Sequence, residues 1–175
     1  MARTKWAIDP THSEVTFKVK HLMISTVTGN FTTFEGTVET ETEEFSKVKN
    51  LEFKAEVKSV NTNNKERDNH LRSDDFFASA YHPNIQFNAK NINLKTGKIK
   101  GDLTIRNTTK AISLDVDFGG VAVDPYGRTR AGLTAKGKIS RKKFGFIWNS
   151  ITEAGNVLVG DQIKLIADVQ FIKQV

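Results

Sequence analysis

The sequence predicts an all-β protein: an eight-stranded antiparallel up-and-down barrel with a short helical segment between strands 3 and 4. Three observations carry this. Apolar and polar residues alternate with period two along most of the chain, as in strands with one wet face. Short turns join the alternating runs, which pairs successive strands antiparallel. A single stretch, residues 61–82, drops the alternation.

Strand 1 covers Ser13 to His21, where Val15, Phe17 and Val19 alternate with Glu14, Thr16, Lys18 and Lys20. Strand 2 runs from about Gly29 to Glu41. Strand 3, Asn50 to Val60, sets Leu51, Phe53, Ala55 and Val57 against Glu52, Lys54, Glu56 and Lys58. Asn61 to His82 has helix-compatible residues and reads as a helix or two. Strand 4 carries Ile85, Phe87 and Ala89 after Pro83, and strand 5 carries Ile99, Leu103 and Ile105. Strand 6 holds Ile112, Leu114, Val116 and Phe118, with Gly119-Gly120 read as a bulge. Leu133, Ala135 and Ile139 mark strand 7, and Ile163, Leu165, Ala167, Val169 and Phe171 mark strand 8. Lys95 to Lys98, Asn107 to Lys110 and Asp124 to Gly127 are the turns, the last with Pro125 at its second position. Strands with one apolar face must bury it. One bridging helical segment cannot cover them all, so the sheet packs as a sandwich or closes into a barrel, and closure also removes exposed edges. An eight-stranded barrel has an interior that side chains fill or that holds one small ligand.

Composition narrows the function. Leu, Ile, Val and Phe make up 48 of 175 residues, enough for a core in one domain spanning 1–175. With no cysteine, disulfides, thiolate zinc sites, iron–sulfur clusters and cysteine nucleophiles are excluded. No apolar run is long enough for a transmembrane helix. Met1 to Trp6 has no apolar signal core behind its charges, so the expected location is cytoplasmic, or periplasmic if a signal peptide has been removed. Net charge is +6, and residues 91–175 hold 14 basic against 7 acidic groups. No basic stripe interleaves with aromatics, so the excess reads as solubilising surface and nucleic acid is not expected as a partner. His12 and His21 have opposite strand parity, and with His70 and His82 they form no ligand spacing; no metal is expected. His12 reads as a turn residue beside Asp9-Pro10. No Gly-x-Ser-x-Gly elbow or phosphate-cradling loop occurs, and no enzyme is expected.

Three segments are specific. Trp6-x-Ile8-Asp9-x-x-His12-Ser13-x-Val15-x-Phe17-x-Val19-x-His21 is followed by Val27-x-Gly29-x-Phe31-x-x-Phe34-x-Gly36. Arg67-Asp68-x-His70-Leu71-x-Ser73-x-Asp75-Phe76-Phe77 precedes Tyr81-x-Pro83-x-Ile85-x-Phe87. Gly101-x-Leu103-Thr104-Ile105-Arg106 and Arg141-x-x-Phe144-Gly145 with Trp148 complete the set. Together they resemble the YceI-like family of polyisoprenoid-binding, lipocalin-like proteins across nearly the whole chain. Ala78, Asn107 to Ala111 and Lys143 depart from the family pattern, all near turns.

The resemblance implies a barrel that binds an isoprenoid lipid, a polyprenyl chain or a quinone, without catalysis and without a further cofactor. It draws the cavity wall from Phe17, Val19, Phe31, Phe53, Val57, Phe76, Phe87 and Leu103, then Leu114, Val116, Leu133, Ile139, Trp148, Leu165 and Ala167. The matched polar positions for a headgroup are His21, Arg72, Arg141 and Asn149. Bland readings stand beside these. The phenylalanines can be plain core, Arg67 and Arg72 can pair with Asp68, Asp74 or Asp75, and Arg141 can sit in a solvated turn. The alternative function is a partner-binding or stress-related structural barrel with a filled interior and no lipid. Whether the chain is a monomer or a homodimer is open.

Overall fold

The computed structural model describes residues 3–146 and 159–175, and among these are eleven strand segments, one α-helix and four short 3-10 turns. The strands and helix are β1 (Thr4–Ile8), β2 (Glu14–His21), β3 (Ser25–Phe31), β4 (Phe34–Thr40), β5 (Lys47–Glu56), β6 (Val60–Asn61), α1 (Lys65–Arg72), β7 (Asn84–Asn93), β8 (Lys98–Ile105), β9 (Thr108–Val123), β10 (Thr129–Ser140) and β11 (Val159–Lys173). The order β1-β4-β5-β7-β8-β9-β10-β11, with β11 pairing back onto β1, closes an antiparallel ring of eight. The remaining segments extend staves already in the ring. β11 holds β1 through Ile8 opposite Phe171 and β2 through Val19 opposite Ile163. β2 and β3 continue the β1–β4 ribbon past the bend.

The eight-stranded count therefore stands, with three refinements. The first stave begins at Thr4, and a 3-10 turn at Pro10–His12 interrupts it. Pro10 has no N–H for the ladder, and Asp9 caps the turn by accepting from the Thr11 N–H. The second stave breaks at Thr32-Thr33, whose N–H and carbonyl bond to Ser59 and Glu56. The third leaves the ladder after Glu56, and Val57–Ser59 form a 3-10 turn. Within residues 61–82 only Lys65–Arg72 is α-helical, and turns carry the chain on to β7. Gly119 and Gly120 do form a bulge: Gly120 faces Gly132 while Phe118 faces Leu133, and Gly120 takes φ 103°.

Each end of the barrel is dressed differently. At one end Phe45, 1% exposed, packs on Trp6, Phe118 and Phe171 with ring centroids 4.9, 5.8 and 5.5 Å away. Trp6 donates its Nε1–H to Thr40 Oγ1 at 3.1 Å, so this plug has no stranded polar group. Outside it, Arg130 bridges Asp9 (2.7 Å) and Asp124 (2.8 Å). Against the opposing effect of burial, the Arg128 backbone N–H and Arg130 at Asp124, and Arg130, Thr11 and His12 at Asp9, hold both carboxyls below the ordinary carboxylate range.

At the other end α1 lies over the barrel. Asn64 caps it by accepting from the Arg67 N–H, and buried Asp68 accepts from the N–H and hydroxyl of Thr62 at 2.9 and 2.5 Å. Arg67 donates to Thr62 Oγ1 and carbonyl. The aspartate pairings expected for Arg67 and Arg72 do not form, because both guanidiniums reach backbone carbonyls instead. Among the described residues no helix is long and apolar enough to cross a membrane.

Candidate functional site

The site is the space left between plug and cover. Period-two alternation turns one face of every stave inward, and the inward residues are too small on one side to meet. Val15, Ala167 and Ala135 lie directly opposite one another on β2, β11 and β10. In the next row Gly137, Leu165, Phe17 and Gly29 follow in register. A Cβ on Gly29 would come within 2.3 Å of the Phe17 ring, so the ring lies flat over that strand and does not reach across the barrel. What remains is a cavity of about 210 Å³. Close-packed interiors rarely leave voids larger than a water, so this volume is not a packing defect.

The wall is apolar. Leu51, Phe53, Ile85, Phe87, Leu103 and Leu114 line one side, and Leu133, Ile139, Ile163 and Leu165 line the other. Leu71, Phe76, Phe77 and Phe146 close it beneath the cover, with Phe77 edge-on to Phe146 at 5.1 Å and to Phe31 at 6.0 Å. Arg106, held at φ 55° in its two-residue hairpin, places its guanidinium 5.6 Å from the Phe146 ring. Thr16 and Glu52 border the cavity, yet Thr16 Oγ1 donates to Ile166 O and Glu52 accepts from Asn50. Among the described residues no buried side-chain nitrogen or oxygen lacks a partner. The interior therefore makes no demand for a polar ligand.

Of the residues assigned to the wall from sequence, Phe17, Val19, Phe31, Phe53, Phe76, Phe87, Leu103, Leu114, Leu133, Ile139, Leu165 and Ala167 border the cavity. Two do not. Val57 is buried, but it sits in the 3-10 turn after β5, where alternation no longer dictates its direction. Val116 keeps inward parity and packs on the core, but its N–H bonds to Gly97 O at the turn preceding β8, beyond the cavity's reach. Trp148 and Asn149 lie outside the described residues. Ile85, Ile99, Ile112 and Ile163 also border the cavity and share parity with the residues assigned to the wall. Phe77 and Phe146, which no strand alternation marks, border it too.

The polar candidates separate. Arg141 borders the cavity and is buried, so it is not in a solvated turn. Its Nε donates to Gly160 O at 2.9 Å, and its two terminal nitrogens donate to Phe146 O and Val159 O at 2.6 and 3.1 Å. Burial draws its pKa below the usual guanidinium value, opposed by Asp161. Arg141 thus fastens the turn Lys142–Phe144 to the start of β11. Arg72 does the same for the cover, donating to Lys58 O, Val60 O and Asn69 Oδ1. Both guanidiniums are engaged by backbone carbonyls. His21 ends β2 opposite Val159, a cavity-lining residue, and is the remaining described position near the lumen. His12 stays at the opposite end, its Nδ1 2.9 Å from Asp9, as a turn residue.

Comparison with known proteins agrees with this architecture. The family model for the YceI-like domain matches residues 6–171. The chain is 37% identical over 171 residues to a UPF0312 protein of Staphylococcus aureus (strain USA300), covering 96% of this chain and 97% of the relative. A YceI protein of Campylobacter jejuni, known from its crystal structure, is 34% identical and superposes with a TM-score of 0.73 over 90% of this chain and 91% of its own. A polyisoprenoid binding domain from Saccharophagus degradans shares the fold, with a TM-score of 0.71 over 97% and 98% of the two chains, at 14% identity.

Proposed function

The chain belongs to the YceI-like family, and from that premise we propose that it binds an isoprenoid lipid, a polyprenyl chain or a quinone, inside the barrel as a non-enzymatic carrier. The observation that carries the reading is the cavity of about 210 Å³ walled by aliphatic and aromatic side chains. Side chains that face a space without partner atoms forfeit dispersion contacts on that side. A ligand that fills it recovers that loss. An isoprenoid tail has no hydrogen-bonding group and asks only for apolar contact, at about 0.8 kcal/mol per buried methylene. The Saccharophagus degradans domain, described as polyisoprenoid-binding, supports the ligand class. His21 is the proposed neighbour of the headgroup. The cavity counts against the filled-barrel alternative.

The test is native mass spectrometry of the purified protein, repeated after solvent extraction. A stoichiometric adduct that fragments in isoprene units supports the carrier reading. A clean ligand-free mass, unchanged after incubation with a long-chain prenyl alcohol, overturns it.

A further inference from the structure

The tip between β2 and β3 carries Leu22, Met23 and Ile24. Leu22 and Met23 hold φ 52° and 61°, and the Ile24 N–H bonds to His21 O at 3.1 Å. Such a turn favours Asn-Gly, since bulky residues resist the left-handed region. Here it holds large apolar residues in water: Met23 is 61% exposed and Ile24 82% exposed.

Beside this tip the outer wall is basic. Lys18, Lys164 and Lys138 lie directly opposite one another on β2, β11 and β10. Lys20 continues the row toward the tip. At Gly160 the two features meet: a Cβ there would lie 3.3 Å from Lys20 Cβ and 3.6 Å from Met23 Sδ. None of these four lysines takes part in an ion pair among the described residues, whereas lysines 47, 49, 54, 95, 98 and 173 do. Two acids lie along this wall: Asp161 accepts from Ser140 Oγ and the Lys142 N–H, and Asp115, which faces Lys136 one diagonal step from Lys138, is paired with Lys98. The acids Asp168 and Glu14 face each other four residues down their strands, about 13 Å away and beyond a Debye length at physiological salt. Like charges in register across strands are unfavourable without a counter-charge.

We propose that the Leu22–Ile24 tip and the row Lys18, Lys20, Lys138 and Lys164 form a docking surface for an anionic membrane. The apolar tip enters the acyl boundary and the lysines meet the lipid phosphates. An exposed apolar tip continuous with cations that have no ion pair among the described residues matches a lipid interface better than it matches nucleic acid, which would leave the tip in water. Val19 and Val159, which line the cavity, flank His21 just before the tip, so docking sets this end of the barrel against the bilayer. The surface is outside the barrel, and docking does not depend on what the cavity holds.

The test is cosedimentation of the full chain with vesicles of phosphatidylcholine alone and with added phosphatidylglycerol. Sedimentation is expected with the anionic vesicles only, weakening with salt. K18Q/K164Q lowers the partition coefficient about 25-fold, at about fivefold per lysine. L22N/M23G/I24S installs the Asn-Gly pair this turn prefers, so its Tm holds or rises while vesicle binding drops about tenfold or more. A variant with a filled cavity, A167W, sediments as the wild type does. Absence of sedimentation with anionic vesicles, equal binding to both vesicle types, or full binding by the tip variant overturns the proposal. So does binding of a DNA oligonucleotide without vesicle binding, which would assign the lysine row to nucleic acid.

Discussion

Filling the cavity from one wall separates what the barrel needs from what a ligand needs. Ala167 lies between Ala135 and Val15, in the row whose small side chains leave the lumen open. Ala167→Trp adds about nine heavy atoms to that row, and an isoprenoid tail must give up at least one five-carbon unit of contact. At about 0.8 kcal/mol per carbon the loss is about 4 kcal/mol, close to three decades in Kd. The folded protein gains by the same change. The indole takes up part of the 210 Å³, so the ligand-free variant is expected to melt at the wild-type temperature or above. Affinity is measured by titration with a long-chain prenyl alcohol, and stability by thermal melts with and without it. Wild type should show a ligand-dependent rise in Tm, and the variant none. A folded variant that binds the alcohol with unchanged affinity would refute the reasoning, since the tail would then lie elsewhere.

Arg141→Met strands the carbonyls of Gly160, Phe146 and Val159, with an expected loss of about 3 kcal/mol. Urea denaturation should show it, with Tm near 10 °C lower for a chain of this size. Gly101→Ala would place a Cβ 2.6 Å from Asn88 O and 2.7 Å from the Phe87 ring. The backbone oxygen cannot yield cheaply, so a loss of about 2 kcal/mol is expected in the same assay. Asp9, Asp124 and Asp161 all titrate below their ordinary values when folded. Their stabilisation is therefore complete above the unfolded aspartate pKa of about 4 and is lost as pH falls below it. Melts from pH 7 to pH 3 should be flat above about pH 5 and then fall. Asp9→Asn should flatten part of that acid limb, and an equal limb in the variant would remove Asp9 from the explanation.

Much of this architecture is legible in period two. The apolar runs on β2, β5, β7, β9, β10 and β11 each state which face is inward, and a closed meander follows once those faces must be buried together. Alternation fails where the chain leaves the ladder. Val57 reads as the last inward residue of a strand, although a 3-10 turn has already begun. Phe45, in the connection between β4 and β5, belongs to no strand and so gave no sign that it plugs one end. The structural roles of the two arginines are hidden for another reason. Arg72 and Arg141 look like ligand donors because they are cations near aromatic segments, but a sequence does not show which carbonyls a turn leaves unpaired. Both side chains answer that local need. Cavity volume is likewise a property of rows across strands, and Ala135, Ala167 and Val15 become neighbours only through register.

On the proposed carrier reading, the seam between β1 and β11 links folding to loading. Trp6 pairs with Lys173 and Ile8 with Phe171, contacts between nearly opposite ends of the sequence, and such contacts form late because loop closure must precede them. β11 also supplies Ile163, Leu165, Ala167, Val169 and Phe171 to the cavity wall. During synthesis the lumen is therefore an open trough until the final strand emerges, and a long tail can be laid in sideways before the last stave closes over it. A ligand captured that way would sit behind a ring closed at every stave by hydrogen bonds. Its escape from the finished protein would be governed by the opening rate of that seam or of the helical cover, so residence time and equilibrium affinity need not rise together.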